Sequence, residues 1–322
     1  MATPSEIFTE MVTTTQRYWG EELADNVSEH NAFLNRLKAK NQIMSVDGGY
    51  EIALPLEYAE NSTYQRYAGY DELNTNASDV LTSAKYEFEQ AAIHVTANGR
   101  EIRMNMGSRE RMIDLVMARK KVAMDTAANN MSIDIYSDGV LDNQIGGLAH
   151  IIQNNGQGTV GGIDSATFPF WRNQFLEIEG TGPHTAQAVK EAMNVLWLRL
   201  NRGKDKPDLI LATHDFYSTY ESGEQQLQRY MKQDMADAGF ISIKYKTADV
   251  VFDDNSNFTT TGEKMYFVNS DYLYLKQHRD ASWTPDDPKR PTNQDAVVVP
   301  IYWMGNMCCS NRDLQGVLID AV

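Results

Sequence analysis

Cysteine is nearly absent from this 322-residue chain: its only two, Cys308 and Cys309, are neighbours in an apolar, strand-like segment. Adjacent cysteines rarely bridge each other, so they read as small buried hydrophobes rather than as a disulfide framework or a metal or redox pair. Long apolar runs are missing as well, and none approaches the roughly 20 residues a helix needs to cross a bilayer. The stretch MATPSEIFTEMVTTTQRYW has no basic region followed by an apolar one, so no secretory signal is expected and synthesis in the cytoplasm is the default. Positive charge is scarce, with 29 Lys and Arg against 44 Asp and Glu, a formal net charge of −15. A body this acidic repels nucleic acid and anionic membranes at long range unless a local basic patch intervenes. The nearest such patch, Arg36, Lys38 and Lys40, falls at an expected helix end and reads as a solvated face. The six histidines (His30, His94, His150, His184, His214, His278) are scattered without metal-ligand spacing. No internal repeat or low-complexity tail is present.

What remains is a soluble, folded composition, 42% hydrophobic and 23% charged. The mean hydropathy of −0.48 implies a large polar surface for the size of the core. The most informative tract runs over 48–104 and reads as a long hairpin. In one arm Tyr50, Ile52, Leu54, Leu56 and Tyr58 share a face, opposite Glu51, Ala53, Pro55 and Glu57. The returning arm places Tyr86 and Phe88 on one face and then changes parity to Ala91, Ile93 and Val95, as a β-bulge would. Between them 59–83 is polar and carries Tyr64, Tyr67 and Tyr70. At roughly 3.3 Å per residue the arms reach far from any body. Two strands alone are marginal in water, so the hairpin is expected to find a third partner on another molecule.

Around it the periodicity predicts a mixed α+β chain. Val27, His30, Phe33, Leu34 and Leu37 follow helical spacing in an amino-terminal arm. A long helix is expected from Ser108, as N-cap, towards Tyr136, with Met112, Leu115, Val116, Val122, Ala123, Thr126 and Ala127 as its apolar stripe and Asp138-Gly139 as its stop. Its length of roughly 40 Å suits a brace for a thin subunit. After a glycine-rich stretch, 185–201 reads as an amphipathic helix with Val189, Ala192, Met193, Leu196 and Leu200 inward. A buried strand at 208–213 and a helix at 215–238 follow. Further strands are expected at 241–245, 249–252, 265–269, 272–277, 296–303 and 312–320, with a proline-rich connector before the last two.

Few motifs suggest chemistry. Gly156-Gln157-Gly158-Thr159-Val160-Gly161 spells the dinucleotide-binding pattern, but that motif needs a helix directly after it and Pro169 blocks one, so a flexible glycine loop is the better reading. Asp253, Asn255 and Asn257 open like a calcium loop, yet Phe258 and Lys264 occupy the places of its glycine and its bidentate glutamate. His214-Asp215 sits at a strand-to-helix junction, where an Asp is usually a cap. No catalytic, cofactor-binding or metal residue is assigned. Tyr64, Tyr67 and Tyr70, with Arg66 between them, read either as self-packing of the loop or as subunit-contact anchors, since tyrosine joins apolar area to a polar tip.

The order of elements and several stretches resemble the major capsid proteins of tailed bacteriophages, with the Hong Kong-type capsid fold. The carriers are Asp138-Gly139 with Gly146-Gly147-Leu148, GTVGGID…TFPFWRN at 158–173, RGKDKPDLILATHDFY at 202–217 and NQDAVVVPIYWMGNMCCSNRDLQGVL at 293–318. The resemblance implies an α+β fold with an amino-terminal arm (1–46), an extended loop with peripheral-domain strands (47–104) and a spine helix (105–139). An axial domain (140–290) and peripheral return strands (291–322) complete it. It implies a non-enzymatic structural protein that self-assembles into hexamers and pentamers of an icosahedral head enclosing double-stranded DNA. The extended loop lies over a neighbouring subunit. Implied partners are a portal, a separate scaffolding protein, since no long helical scaffolding segment precedes the arm, and optionally a decoration protein. No membrane and no cofactor are implied; the place is the virion, after synthesis in the host bacterial cytoplasm. The loop's single lysine, Lys85, lies in the returning arm, so the loop crosslink of some relatives is not carried over. Two alternatives stand beside this: an encapsulin-like shell of a bacterial compartment, and a nucleotide-dependent enzyme using Gly156–Gly161.

Overall fold

A computed structural model describes residues 31–104, 109–179, 184–224, 242–253, 258 and 262–320. Its first helix, α1 (Ala32–Ala39), is started by Asn31. The Asn31 carboxamide oxygen accepts from the amides of Phe33 (2.9 Å) and Leu34 (3.2 Å), two of the donors a helix start leaves open. Phe33, Leu34 and Leu37 are buried as their spacing predicts; Val27 and His30 lie outside the described residues.

The strands β1 (Ile43–Val46), β2 (Ile52–Glu57), β3 (Leu81–Tyr86) and β4 (Glu89–Asn98) come next, then a short helix α2 (Gly99–Met104) and the long helix α3 (Arg109–Ile135). The returning arm is not one bulged strand. β3 pairs with β2, whereas β4 leaves the hairpin and joins another sheet. The change of parity at 87–88 is therefore a strand break, because the two halves obey different neighbours. On β4 the expected face holds: Val95 is buried, and Ala91 and Ile93 are partly so.

α3 covers the expected span, but its buried stripe is rotated. Ser108, Met112, Leu115 and Val116 lie outside the described side chains. Beyond them Ala123 and Ala127 are buried as expected, while Val122 is 65% exposed and Thr126 is exposed. Met124, Ala128, Met131 and Ile135 carry the stripe instead, at the same three-to-four spacing. The long unbranched methionines fill the core while Val122 borders an open groove beside β4.

The rest of the chain supplies α4 (Leu148–Ile151), β5 (Thr159–Val160), β6 (Ile163–Asp164), β7 (Gln174–Ile178), α5 (Ala186–Leu200), β8 (Leu209–Ala212) and α6 (His214–Glu224). It ends with β9 (Ser242–Tyr245), β10 (Ala248–Phe252), β11 (Lys264–Val268), β12 (Leu273–Pro285), β13 (Ala296–Cys309) and β14 (Gly316–Asp320). The part of the expected 215–238 helix beyond Glu224 lies outside the described residues. β12 and β13 outrun their predicted lengths because each supports the other, with register shifts in β12 between Gln277 and Thr284.

Two sheets organise the molecule. A four-stranded sheet has the order β1-β12-β13-β4, and a six-stranded sheet has the order β7-β14-β11-β8-β10-β9. All residues of β8 and β11 are buried, the signature of strands covered on both faces. Val189, Met193, Leu196 and Leu200 of α5 bury against that sheet with Phe216 of α6. The resemblance implies peripheral return strands over 291–322, of which β13 joins the four-stranded sheet and β14 does not. β14 lies parallel to β7 and antiparallel to β11 inside the other sheet. Only 316–320 of the expected 312–320 strand is extended, because Arg312 turns inward before it.

Cys308 and Cys309 are fully buried in β13, and burial pushes both thiols up to about 12. The thiolate is the reactive form, so neither thiol should react with an aromatic disulfide reagent at pH 8 in the native protein, whereas both should in denaturant. Asn31→Ala should cost about 1 kcal/mol in urea unfolding through loss of the cap.

Candidate functional site

β2 and β3 pair from Ile52 opposite Tyr86 to Glu57 opposite Leu81. Ile52, Leu54, Leu56, Ala84 and Tyr86 are buried, while Glu51, Ala53, Pro55 and Glu57 face out. The arms thus do not wait for another molecule to cover them; they pack on their own chain. Their support is the glycine-rich loop. The Lys85 amide donates to the Gly161 carbonyl at 2.8 Å, and a Cβ built on Gly161 would lie 2.8 Å from Ala84 Cβ. Only glycine allows that approach, and its φ of +59° demands glycine again. The Tyr86 hydroxyl donates to the Cys309 carbonyl (2.9 Å) and accepts from the Cys309 amide (3.1 Å), tying the arm to β13. Burial raises the Tyr86 pKa well above that of a free phenol. Tyr58 meets Phe170 with ring centroids 5.7 Å apart. Tyr50 departs from its expected face at 98% exposure, because the strand starts only at Ile52.

The loop in turn is built around one side chain. Arg312 is fully buried. Its Nε donates to the Ile151 carbonyl (2.7 Å), Nη1 to the carbonyls of Trp171 (3.0 Å) and Gly158 (3.4 Å), and Nη2 to the Gln157 carbonyl (3.3 Å) and Asn173 Oδ1 (3.1 Å). Burial pulls its pKa down to about 10, which leaves it cationic at pH 7. Carbonyl dipoles solvate the charge in place of a carboxylate. Nothing in the sequence singled out Arg312, because its partners lie 139 to 161 residues away.

Beyond Glu57 the hairpin changes character. The tip's hydrogen bonds stay within it: Tyr58 N to Val80 O (3.0 Å), Ser62 Oγ to Ser78 Oγ (3.2 Å), Gln65 Nε2 to Glu72 O (2.9 Å) and Ala68 N to Asp71 Oδ2 (2.8 Å). Tyr64, Tyr67 and Tyr70 are 83, 65 and 106% exposed. Arg66 is exposed and forms no ion pair among the described residues. Each of the four residues singled out from sequence is exposed, and none of them is buried in a loop core.

No family model matches this sequence, and no curated protein matches it by sequence. Solved structures do match by fold. The chain superposes on a subunit of the cyanophage A-1(L) capsid asymmetric unit with a TM-score of 0.60 at 15% identity, covering 87% of this chain and 90% of that one. It superposes on the capsid of a native GTA particle at TM-score 0.56, 9% identity, with 92 and 91% covered. A virus-like particle from Pyrococcus furiosus gives 0.50 at 11% identity, with 92 and 95% covered. This is the tailed-phage capsid fold. At such identities the likeness is one of fold, and it extends over nearly the whole chain.

The fold also places the remaining motifs of the sequence. Gly156–Gly161 is not a flexible loop: Gly158 presents its carbonyl to Arg312, and the next helical turn is only Pro169–Trp171. A phosphate site needs amides converging on a helix start, and here carbonyls converge on a cation. Asp253 accepts from the Tyr136 hydroxyl at 2.6 Å; Asn255 and Asn257 lie outside the described residues. Lys264 is buried beside the Phe258 and Tyr266 rings, where burial pulls its pKa down to about 8. Arg36 and Lys40 are not a solvated face. Arg36 pairs with Asp249 and lies 3.6 Å from Asp208, and Lys40 lies 3.2 Å from Asp208 and 2.8 Å from Asp271. Lys85 pairs with Glu51 at 2.6 Å. His184 meets Asp320 at 2.6 Å, and His214 meets Asp215 at 3.2 Å. Among the described residues no group of three or more His, Cys, Asp or Glu could hold a metal ion, and no helix is long and apolar enough to cross a membrane.

Arg312→Met should cost about 3 kcal/mol or more by chemical denaturation, because several buried carbonyls lose their donor at once. Gly161→Ala should cost about 1–3 kcal/mol and speed hydrogen exchange at the Lys85 amide, since the left-handed residue and the close contact are both lost. Unchanged exchange at that amide would mean that the loop does not hold the hairpin.

Proposed function

We propose that this chain is a shell subunit that self-assembles without catalysis into hexamers and pentamers of an icosahedral phage head enclosing double-stranded DNA. The observation that carries the reading is the capsid fold over nearly the full length of chain and relatives, combined with a hairpin whose root is held by the body and whose tip tyrosines are exposed among the described residues. The six-stranded sheet with α5 and α6 forms the axial domain. α3 and the four-stranded sheet form the peripheral domain, and 1–46 the arm, which ends by lending β1 to that sheet. The tip crosses to a neighbouring subunit, with Tyr64, Tyr67, Tyr70 and Arg66 as its contact residues. Many interfaces of roughly 800 Å² per partner then close cooperatively. A scaffolding protein, a portal and optionally a decoration protein complete the assembly, and its place is the virion after synthesis in the bacterial cytoplasm.

Strand β3 begins at Leu81, so a clean test removes 60–79 and joins the arms with a short turn. The shortened subunit should keep the unfolding midpoint of the parent, because the arms and their anchors remain, yet form no regular particles by negative-stain electron microscopy. Normal particles from it would remove the tip from the assembly mechanism. Particles that hold a protein cargo and no DNA would turn the reading to a compartment shell.

A further inference from the structure

Two aromatic rings beside the six-stranded sheet already hold an ammonium. Tyr245 at the end of β9 pairs with Ala248 at the start of β10, so the turn between them has two residues, Lys246 and Thr247. Lys246 stands there at a φ of +52°, a left-handed position that such hairpins fill with glycine, asparagine or aspartate. Its side chain accounts for the exception. The Lys246 Nζ lies 5.5 Å from the centre of the Trp197 ring and 5.3 Å from that of Tyr245, and it donates to Asn194 Oδ1 at 2.6 Å. Both distances are within the range at which a cation is drawn to an aromatic ring. The rings stand edge-on to each other at 79°, with centroids 5.6 Å apart, so they make two walls of a slot. Those walls are fixed by the body. Trp197 is buried in α5, and Tyr220 of α6 braces Tyr245 at 6.1 Å. Burial against them pulls the Lys246 pKa below that of a free lysine, the mark of an ammonium partly stripped of water. Leu198 follows Asn194 by four positions on the same face of α5 and is 61% exposed, which leaves apolar ground beside the slot.

We infer that Trp197, Tyr245 and Asn194 form a binding site for a free alkylammonium ion, and that the chain's own Lys246 plugs this site when no amine is bound. The ligand class follows from the plug itself, an ammonium on an aliphatic stem. Rings and one amide oxygen recognise the charge, and Leu198 offers a surface for the alkyl chain. A chain of net charge −15 gathers small cations around it, so free amines are enriched where the slot opens. Lys246 is a tethered competitor with an effective concentration on the order of millimolar, which sets the level that an external amine must exceed. All the parts lie on one subunit, so the inference goes beyond the shell reading and does not depend on it.

The test uses the full-length chain with n-butylammonium chloride as probe, followed by saturation-transfer NMR of the probe's protons at constant ionic strength. Lys246→Gly suits the left-handed turn and opens the slot. It should half-saturate at an amine concentration about tenfold or more below that of the parent, because the tethered competitor is gone. Adding Tyr245→Leu or Asn194→Ala to that variant should cancel the gain, with thermal melting showing every variant folded. n-Butanol, of the same length without the charge, should give no saturable signal. An opened variant that binds the amine no better than the parent would overturn the inference and leave Lys246 as a strut of its turn. So would equal binding of n-butanol, which would make the surface a plain apolar patch, or a gain that survives both added substitutions.

Discussion

A guanidinium without a carboxylate holds the architecture together. Moving a full charge out of water is costly unless dipoles replace the lost hydration, and Arg312 gathers carbonyls from Ile151, Gln157, Gly158 and Trp171 for that purpose. Those residues are spread over a loop with little regular structure, so the cation determines the loop's shape. Through Gly161 the loop places Lys85, and through the short segment from Cys309 to Arg312 the same cation lies beside the anchor of Tyr86. The direction in which the hairpin leaves the body is thus fixed by one buried side chain and one glycine.

Much of the fold was legible in the sequence wherever a single neighbour dictates a period. Val189, Met193, Leu196 and Leu200 face one sheet, and Phe33, Leu34 and Leu37 one core. Legibility failed where partners change along the chain. The parity shift near Phe88 looked like a bulge because the second sheet that claims β4 cannot be seen from local pattern. The stripe of α3 came out rotated because valine outranks methionine in apolar character, although methionine fills the irregular core better. The sheet that takes β14 could not be read locally because sheet order is a long-range property, and the four pairs between Gly316 and Ile319 on one side and 264–267 on the other have no local signature.

At the candidate site, the exposure of the tip tyrosines and Arg66 could be read from composition alone, because they lie in a polar stretch. The anchoring could not. Tyr86, Gly161, Cys309 and Arg312 are far apart in sequence, and each has an ordinary local explanation. The cations at Arg36 and Lys40 misled for the same reason, since their partners Asp208, Asp249 and Asp271 lie more than 160 residues away.

The placement of β14 also couples two distant parts of the molecule. Residues 316–320 fill a slot between β7 and β11, and Arg312, just before them, completes the collar that shapes the hairpin's seat. One stretch, 312–320, therefore closes the six-stranded sheet and seats the hairpin at once. A change that frees this stretch would loosen both together.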